Sequence, residues 1–161
     1  MPISKDKKKE ICDKVTRIAK ENSSLVFVNF HKINVADVTA ARRALREKNV
    51  GYYVAKKTLI KKSLVDAEIQ GEMPELKGEV GIAYSSEPTA AAREVFAFSK
   101  KLDDQFKLIG GIFEGKFKNG DEMNEIALIP SLEVLRGKFL NLINSPRQRF
   151  AMLLSEKAKK A

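Results

Sequence analysis

Residues 31–64 read HKINVADVTAARRALREKNVGYYVAKKTLIKKSL, and two apolar periods alternate within them. Val38, Ala41 and Leu45 recur at helical spacing, which predicts a helix over 35–48 with Asn34 as its cap. VGYYVA at 50–55 is a β-rich run and predicts a strand. Thr58 through Ala67 returns to helical spacing, with Leu59, Ile60 and Leu64 inward. Helix, strand and helix in quick succession predict an α/β fold.

The same stretch concentrates positive charge. Residues 31–62 hold Lys32, Arg42, Arg43, Arg46, Lys48, Lys56, Lys57, Lys61 and Lys62 against Asp37 and Glu47, nine bases and two acids, a net +7 where the whole chain carries +9. Arg42, Arg43 and Arg46 fall off the apolar side of the predicted helix, and the four later lysines follow the strand. If a sheet sets these elements side by side, their positive faces merge into a patch able to track a phosphate backbone, because each neutralised phosphate releases counterions. The bland alternative is two solvated basic helix faces.

Outward from this stretch the pattern continues. Residues 4–21 predict a helix capped by Ser4, with Ile11, Val15 and Ile18 inward; its lysines at 5 and 7–9 crowd the end where the helix dipole disfavours cations. SLVFVNF at 24–30 is uncharged and predicts a buried strand. Downstream, 68–78 (EIQGEMPELKG) predicts a loop or lid, 79–84 a strand, and 88–102 a helix with Pro88 in its first turn and Ala91, Val95, Phe96 and Phe98 in its core face. Residues 106–117 (FKLIGGIFEGKF) predict either one bent strand or a hairpin, Gly110, Gly111 and Gly115 marking close approach or a bulge. A short helix over 120–128 ends before Pro130. No internal repeat is evident. Together these elements predict an α/β sandwich with a single mixed sheet over residues 1–130.

From residue 131 the character changes. Leu132, Leu135, Phe139, Leu142, Ile143, Phe150, Leu153 and Leu154 fall mostly on one helical stripe with bases on the other side, so 131–161 predicts a projecting amphipathic helix, kinked or restarted at Pro146. It either folds back onto the body or offers its apolar face to a partner. A third use, lying on an anionic membrane, fits less well without tryptophan and with an interrupted stripe.

Charge is unevenly spread: net +3 over 1–21, −7 over 63–135 and +6 over 136–161. With 161 residues, 43% of them hydrophobic, one ordinary domain and an appendage can bury a core. The single cysteine, Cys12, excludes an intramolecular disulfide and cysteine-pair metal sites, and its position on an apolar helix face predicts a buried structural thiol. The charged N-terminus has no apolar signal region, and no apolar run reaches 18 residues, which predicts a cytosolic chain.

Catalytic chemistry is not indicated. The one histidine, His31, has no triad partner by pattern and reads as a surface or RNA-stacking residue. The glycines at 110, 111 and 115 lack the following helix of a dinucleotide fingerprint, and there is no P-loop lysine pattern. Asp103–Asp104 and Asp121–Glu122 are adjacent pairs, which point apart on a helix and make poor acid/base dyads. No enzyme, metal, cofactor or small-molecule substrate is expected.

The order of FVNFHKINV, ADVTAARRALREKNV, YYVAKKTLIKKSL, LKGEVGIAYSSEPTAAAREVFAFSKK, FKLIGGIFEGK and IALIPSLEVLRGKFLNLINSP, nearly end to end, resembles the bacterial ribosomal stalk-base family, large-subunit protein ten. The resemblance implies an α/β domain seated on large-subunit ribosomal RNA and a C-terminal helix that anchors dimers of the small acidic stalk protein, which recruit translational GTPases. It implies RNA contacts at His31, Lys32, Arg42, Arg43, Arg46, Lys56, Lys57, Thr58, Lys61 and Lys62. It implies stalk-dimer contacts at Leu135, Phe139, Leu142, Ile143, Phe150, Leu153 and Leu154 on a helix of about 133–157, and a neighbouring stalk-base ribosomal protein as a further partner; the two apolar segments that flank Pro146, 135–143 and 150–154, predict room for one or two dimers. The chain departs from the family where His31-Lys32 replaces a common arginine-glycine pair, and where Lys57 replaces an asparagine before Thr58-Leu59. Other readings are a free RNA-binding ribosome-assembly factor of the same fold, which need not keep the tail, and a membrane-surface protein anchored by 133–157.

Overall fold

The computed structural model describes residues 4–31, 33–66, 69–71, 73–76, 78–101 and 106–160. It divides into two compact units, Met1–Ile129 and Pro130–Ala161. The first contains α1 (Lys5–Glu21), β1 (Ser24–Phe30), α2 (Val35–Glu47), β2 (Gly51–Val54), α3 (Lys57–Val65), β3 (Val80–Ser85), α4 (Ala90–Lys101), β4 (Phe106–Phe113), β5 (Lys116–Asn119) and α5 (Gly120–Ala127); the second is α6 (Leu132–Lys160).

β1 explains the layering. It is the middle strand of a five-stranded sheet ordered β2-β3-β1-β4-β5. Its alternate side chains enter two separate cores. Leu25 and Phe27 pack with Val15 and Ile18 of α1 and with Ile60 and Leu64 of α3. Val26 and Val28 pack with Leu45 of α2, Ala91 and Val95 of α4 and Met123 of α5. A strand buried on both faces admits no charge, hence the uncharged run. Burying a side chain such as Phe27 or Leu25 contributes about 1.5–3 kcal/mol. The result is the α/β sandwich expected, with α1 and α3 on one face and α2, α4 and α5 on the other.

All four strand pairings are antiparallel. β1 and β2 point the same way, but the crossover through α2 lands one strand away and β3 fills the slot in the opposite direction. Among the described residues, parallel pairing of the kind a mixed sheet implies is confined to an isolated bridge between Gln70 and Lys116. The 106–117 stretch forms a hairpin. Its two-residue turn is Glu114–Gly115, with φ of 50° and 75°, consecutive left-handed residues that match the strand twist. The register of β1 against β4 shifts between Phe27 and Val28, opposite Gly110 and Leu108, and a Cβ on Gly111 would run into the Leu25 carbonyl oxygen. These glycines therefore mark both the bulge and the close approach.

Several boundaries differ. α4 begins at Ala90, with Pro88 in the preceding turn and the Thr89 carbonyl accepting from Arg93 N–H at 3.0 Å. α3 begins at Lys57 and ends at Val65; Ala67, the expected end, lies outside the described residues. The expected lid over 68–78 is partly built into the body: Pro74 and Leu76 are buried, and the Gln70 carbonyl accepts from Phe117 N–H at 2.9 Å. Asn34 occupies the cap position of α2 without a side-chain cap bond, whereas Ser4 accepts from Lys7 N–H at 3.4 Å. Cys12 is half-buried rather than buried.

Candidate nucleic-acid interface and C-terminal helix

Leu45 and Ala41 turn one side of α2 into the core, so Arg42, Arg43 and Arg46 face out and are exposed. Arg43 Nε is 3.4 Å from Glu47 Oε1, an exposed i,i+4 pair worth a few tenths of a kcal/mol. The Arg42 guanidinium lies 5.5 Å from the Tyr52 ring centroid. Arg42 and Arg46, with Asn49, Tyr52 and Tyr84, line a depression of about 340 Å³. Burial pushes the Tyr52 phenol up to about 12, and the Arg42 charge partly offsets that rise.

α3 carries the second cluster. Ile60, Ser63 and Leu64 face the core, leaving Lys56, Lys57, Thr58, Lys61 and Lys62 exposed. Lys56 is the N-cap residue, and α3 has no acid in its first turn. Lys56, Lys57 and Thr58 line a depression of about 780 Å³ with Val54, Gly78 and Val80. His31, just past the end of β1, is exposed. Lys32 lies outside the described residues.

The two clusters are not side by side on one face. α2 packs on one side of the sheet and α3 on the other. They flank β2, an edge strand, with the α2 arginines on one side and the α3 lysines on the other. The sequence-based site residues also stop short on the α3 side. Lys5, Lys8 and Lys9 of α1 line one concavity with Lys62. Their sequence signal was the crowding of lysines at a helix start.

α6 is one unbroken helix through Pro146. A proline inside a helix removes one backbone donor, here the one that would reach the Leu142 carbonyl, and costs about 3 kcal/mol or more. The expected restart does not occur. At about 100° per residue, the eight stripe residues Leu132, Leu135, Phe139, Leu142, Ile143, Phe150, Leu153 and Leu154 span roughly 120° of the helix. Phe139 and Leu142 are 63% and 71% exposed, and Phe150 and Leu153 are each 64% exposed. Continuity also reveals a repeat that the sequence reading missed. RGKFLNLI at 136–143 recurs as RQRFAMLL at 147–154. Arg136, Lys138, Phe139, Leu142 and Ile143 return as Arg147, Arg149, Phe150, Leu153 and Leu154. Eleven residues are about three turns, so the second unit lies roughly 16 Å along nearly the same face. The bases flank the stripe at its edges rather than opposing it.

Among the described residues no buried side-chain nitrogen or oxygen lacks a hydrogen-bond partner. Glu122 accepts from Asn119 N–H at 3.1 Å and from Lys118 Nζ at 3.2 Å. The backbone hydrogen bond first, then the lysine, hold its carboxyl below the usual range. Asp103 and Asp104 lie outside the described residues. Among the described residues no cluster of three histidine, cysteine or acidic side chains is placed to hold a metal, and no helix is long and apolar enough to cross a membrane.

Comparison with known proteins is consistent across the chain. The sequence profile of the family described as ribosomal protein L10 matches residues 3–100. The large ribosomal subunit protein uL10 of Bacillus licheniformis is 32% identical over 90% of this chain and 87% of its own length. That of Rickettsia typhi is 34% identical over 82% and 78%. That of Delftia acidovorans is 31% identical over 99% and 91%.

Proposed function

The chain belongs to the ribosomal protein L10 family and is a structural constituent of the large ribosomal subunit, and from that premise we propose that it bridges large-subunit ribosomal RNA and dimers of the acidic stalk protein. The first unit grips RNA across the β2 edge: Arg42, Arg43 and Arg46 reach phosphates on one side, and Lys56, Lys57, Lys61 and Lys62 on the other. Lys32 adds a further phosphate contact. Thr58 and His31 reach sugars or unpaired bases. Recognition of this kind reads RNA shape more than base edges. The protein acts on the ribosome in the cytoplasm, beside another stalk-base protein, and not as an enzyme.

The second unit anchors two dimers. The observation that carries this reading is the eleven-residue repeat on a continuous α6, each unit an exposed apolar group between two bases. Leu135, Phe139, Leu142 and Ile143 seat one dimer; Phe150, Leu153 and Leu154 seat the other. Flanking arginines and lysines steer acidic partners to the face. Native mass spectrometry of the chain mixed with acidic stalk protein tests this: two dimers bind, and a complex saturating at three refutes the two-unit reading.

A further inference from the structure

The two repeats of α6 differ in apolar surface. Leu135 precedes the first repeat where Pro146 precedes the second, and Leu140 lies in the first where Ala151 lies in the second. The other anchors match: Phe139, Leu142 and Ile143 return as Phe150, Leu153 and Leu154, and all of these large side chains, with Leu135 and Leu140, are exposed. At about 100° per residue, Leu142, Leu135, Phe139, Ile143 and Leu140 spread the first face over roughly 160° of the helix, whereas Leu153, Phe150 and Leu154 cover roughly 100°. Met152 does not make up the difference, because it lies roughly 100° outside that arc.

The charges do not follow this inequality. Arg136 and Lys138 flank the first face as Arg147 and Arg149 flank the second. Faces with the same flanking charge attract an acidic partner at similar rates, while the apolar contact governs how long it stays. The helix adds to the difference. Gly137, the poor helix former of the first repeat, keeps its backbone donor and lies off the apolar face, with open space where a side chain would stand. Pro146, at the entry to the second repeat, has no donor and sits where the first repeat has an apolar anchor.

We propose that the two repeats hold acidic stalk dimers unequally: the first keeps a resident dimer, and the second holds an exchangeable one whose occupancy follows the supply of free dimer. Leu135 and Leu140 set the difference. This rests on the two-dimer reading of α6 and assigns its regulation, a stalk whose copy number rises from one dimer to two as stalk protein becomes available.

The test uses the full chain and purified acidic stalk protein, with each repeat closed in turn. Phe150→Asp leaves the first repeat open, and Phe139→Asp leaves the second. The Kd of Phe150→Asp for one dimer should be lower than that of Phe139→Asp by about tenfold or more. Alanine at the same two positions keeps α6 helical and should give the same order. Labelled dimer chased from the wild-type chain by unlabelled dimer should leave in a fast and a slow phase of equal amplitude. Pro146→Leu/Ala151→Leu supplies the missing anchors, and its fast phase should merge with the slow one. Equal Kd values for the two closed variants with a single exchange phase, or tighter binding by Phe139→Asp, overturn the inequality and leave the two-dimer reading intact. A wild-type chain that binds no dimer overturns both.

Discussion

Tyr52 lies on β2 beneath Arg42, with its ring packed into the core that α2 covers. Its phenol is pushed up to about 12 because burial penalises the phenolate more than the arginine rewards it. A folded-state value above the usual one near 10 favours folding below that pH and loses the benefit as pH rises from about 10 to 12. Urea unfolding at pH 9 and pH 11.5 should therefore show a loss of stability that is smaller in Tyr52→Phe. An equal loss in both proteins would mean that Tyr52 is not the titrating group. Gly111 offers a second test at this scale. A methyl group there meets the Leu25 carbonyl oxygen, part of the central strand pair, which cannot move aside as a flexible side chain would. Gly111→Ala should lower stability by about 1–3 kcal/mol in chemical denaturation; an unchanged midpoint would show that β1 and β4 can part at that point.

At the level of elements, α6 separates apolar anchoring from helix continuity. Phe139→Asp places a charge in the first repeat unit and should release one acidic dimer while RNA affinity stays unchanged; loss of both would show that the two units do not act separately. Pro146→Ala restores the donor to the Leu142 carbonyl and should raise helix content and thermal stability of the segment by circular dichroism. A fall instead would mean that the proline holds a bend the helix needs. Local patterns were sufficient for most elements. SLVFVNF predicted β1 at its observed limits because a strand buried on both faces leaves an unmistakable uncharged run. FKLIGGIFEGKF left a bent strand or hairpin open because Glu114–Gly115 is a weaker turn signal than Asn-Gly. The repeat in α6 was hidden because Pro146 suggested an interruption, and the eleven-residue phase has meaning only on a continuous helix.

For the whole molecule, the α/β sandwich was legible from alternating helix and strand periods, but the placement of its charges was not. Arg42 and Lys57 are close in sequence, yet α2 and α3 pack on opposite faces of the sheet. That depends on tertiary packing, which no window of sequence contains. The basic residues consequently straddle an edge, and an RNA bound there must be met from two sides. Replacing Lys56 and Lys57 with glutamate should weaken RNA binding and flatten its salt dependence; an unaltered salt slope would remove these lysines from the phosphate contacts. The bridge between RNA and stalk is tested most directly by sucrose-gradient sedimentation of a lysate carrying the tagged chain in moderate salt, with the acidic stalk protein counted in each fraction. The expected result is a chain that travels with the large subunit, with two acidic dimers per copy. A chain that stays at the top of the gradient, free or with non-ribosomal RNA, would contradict it.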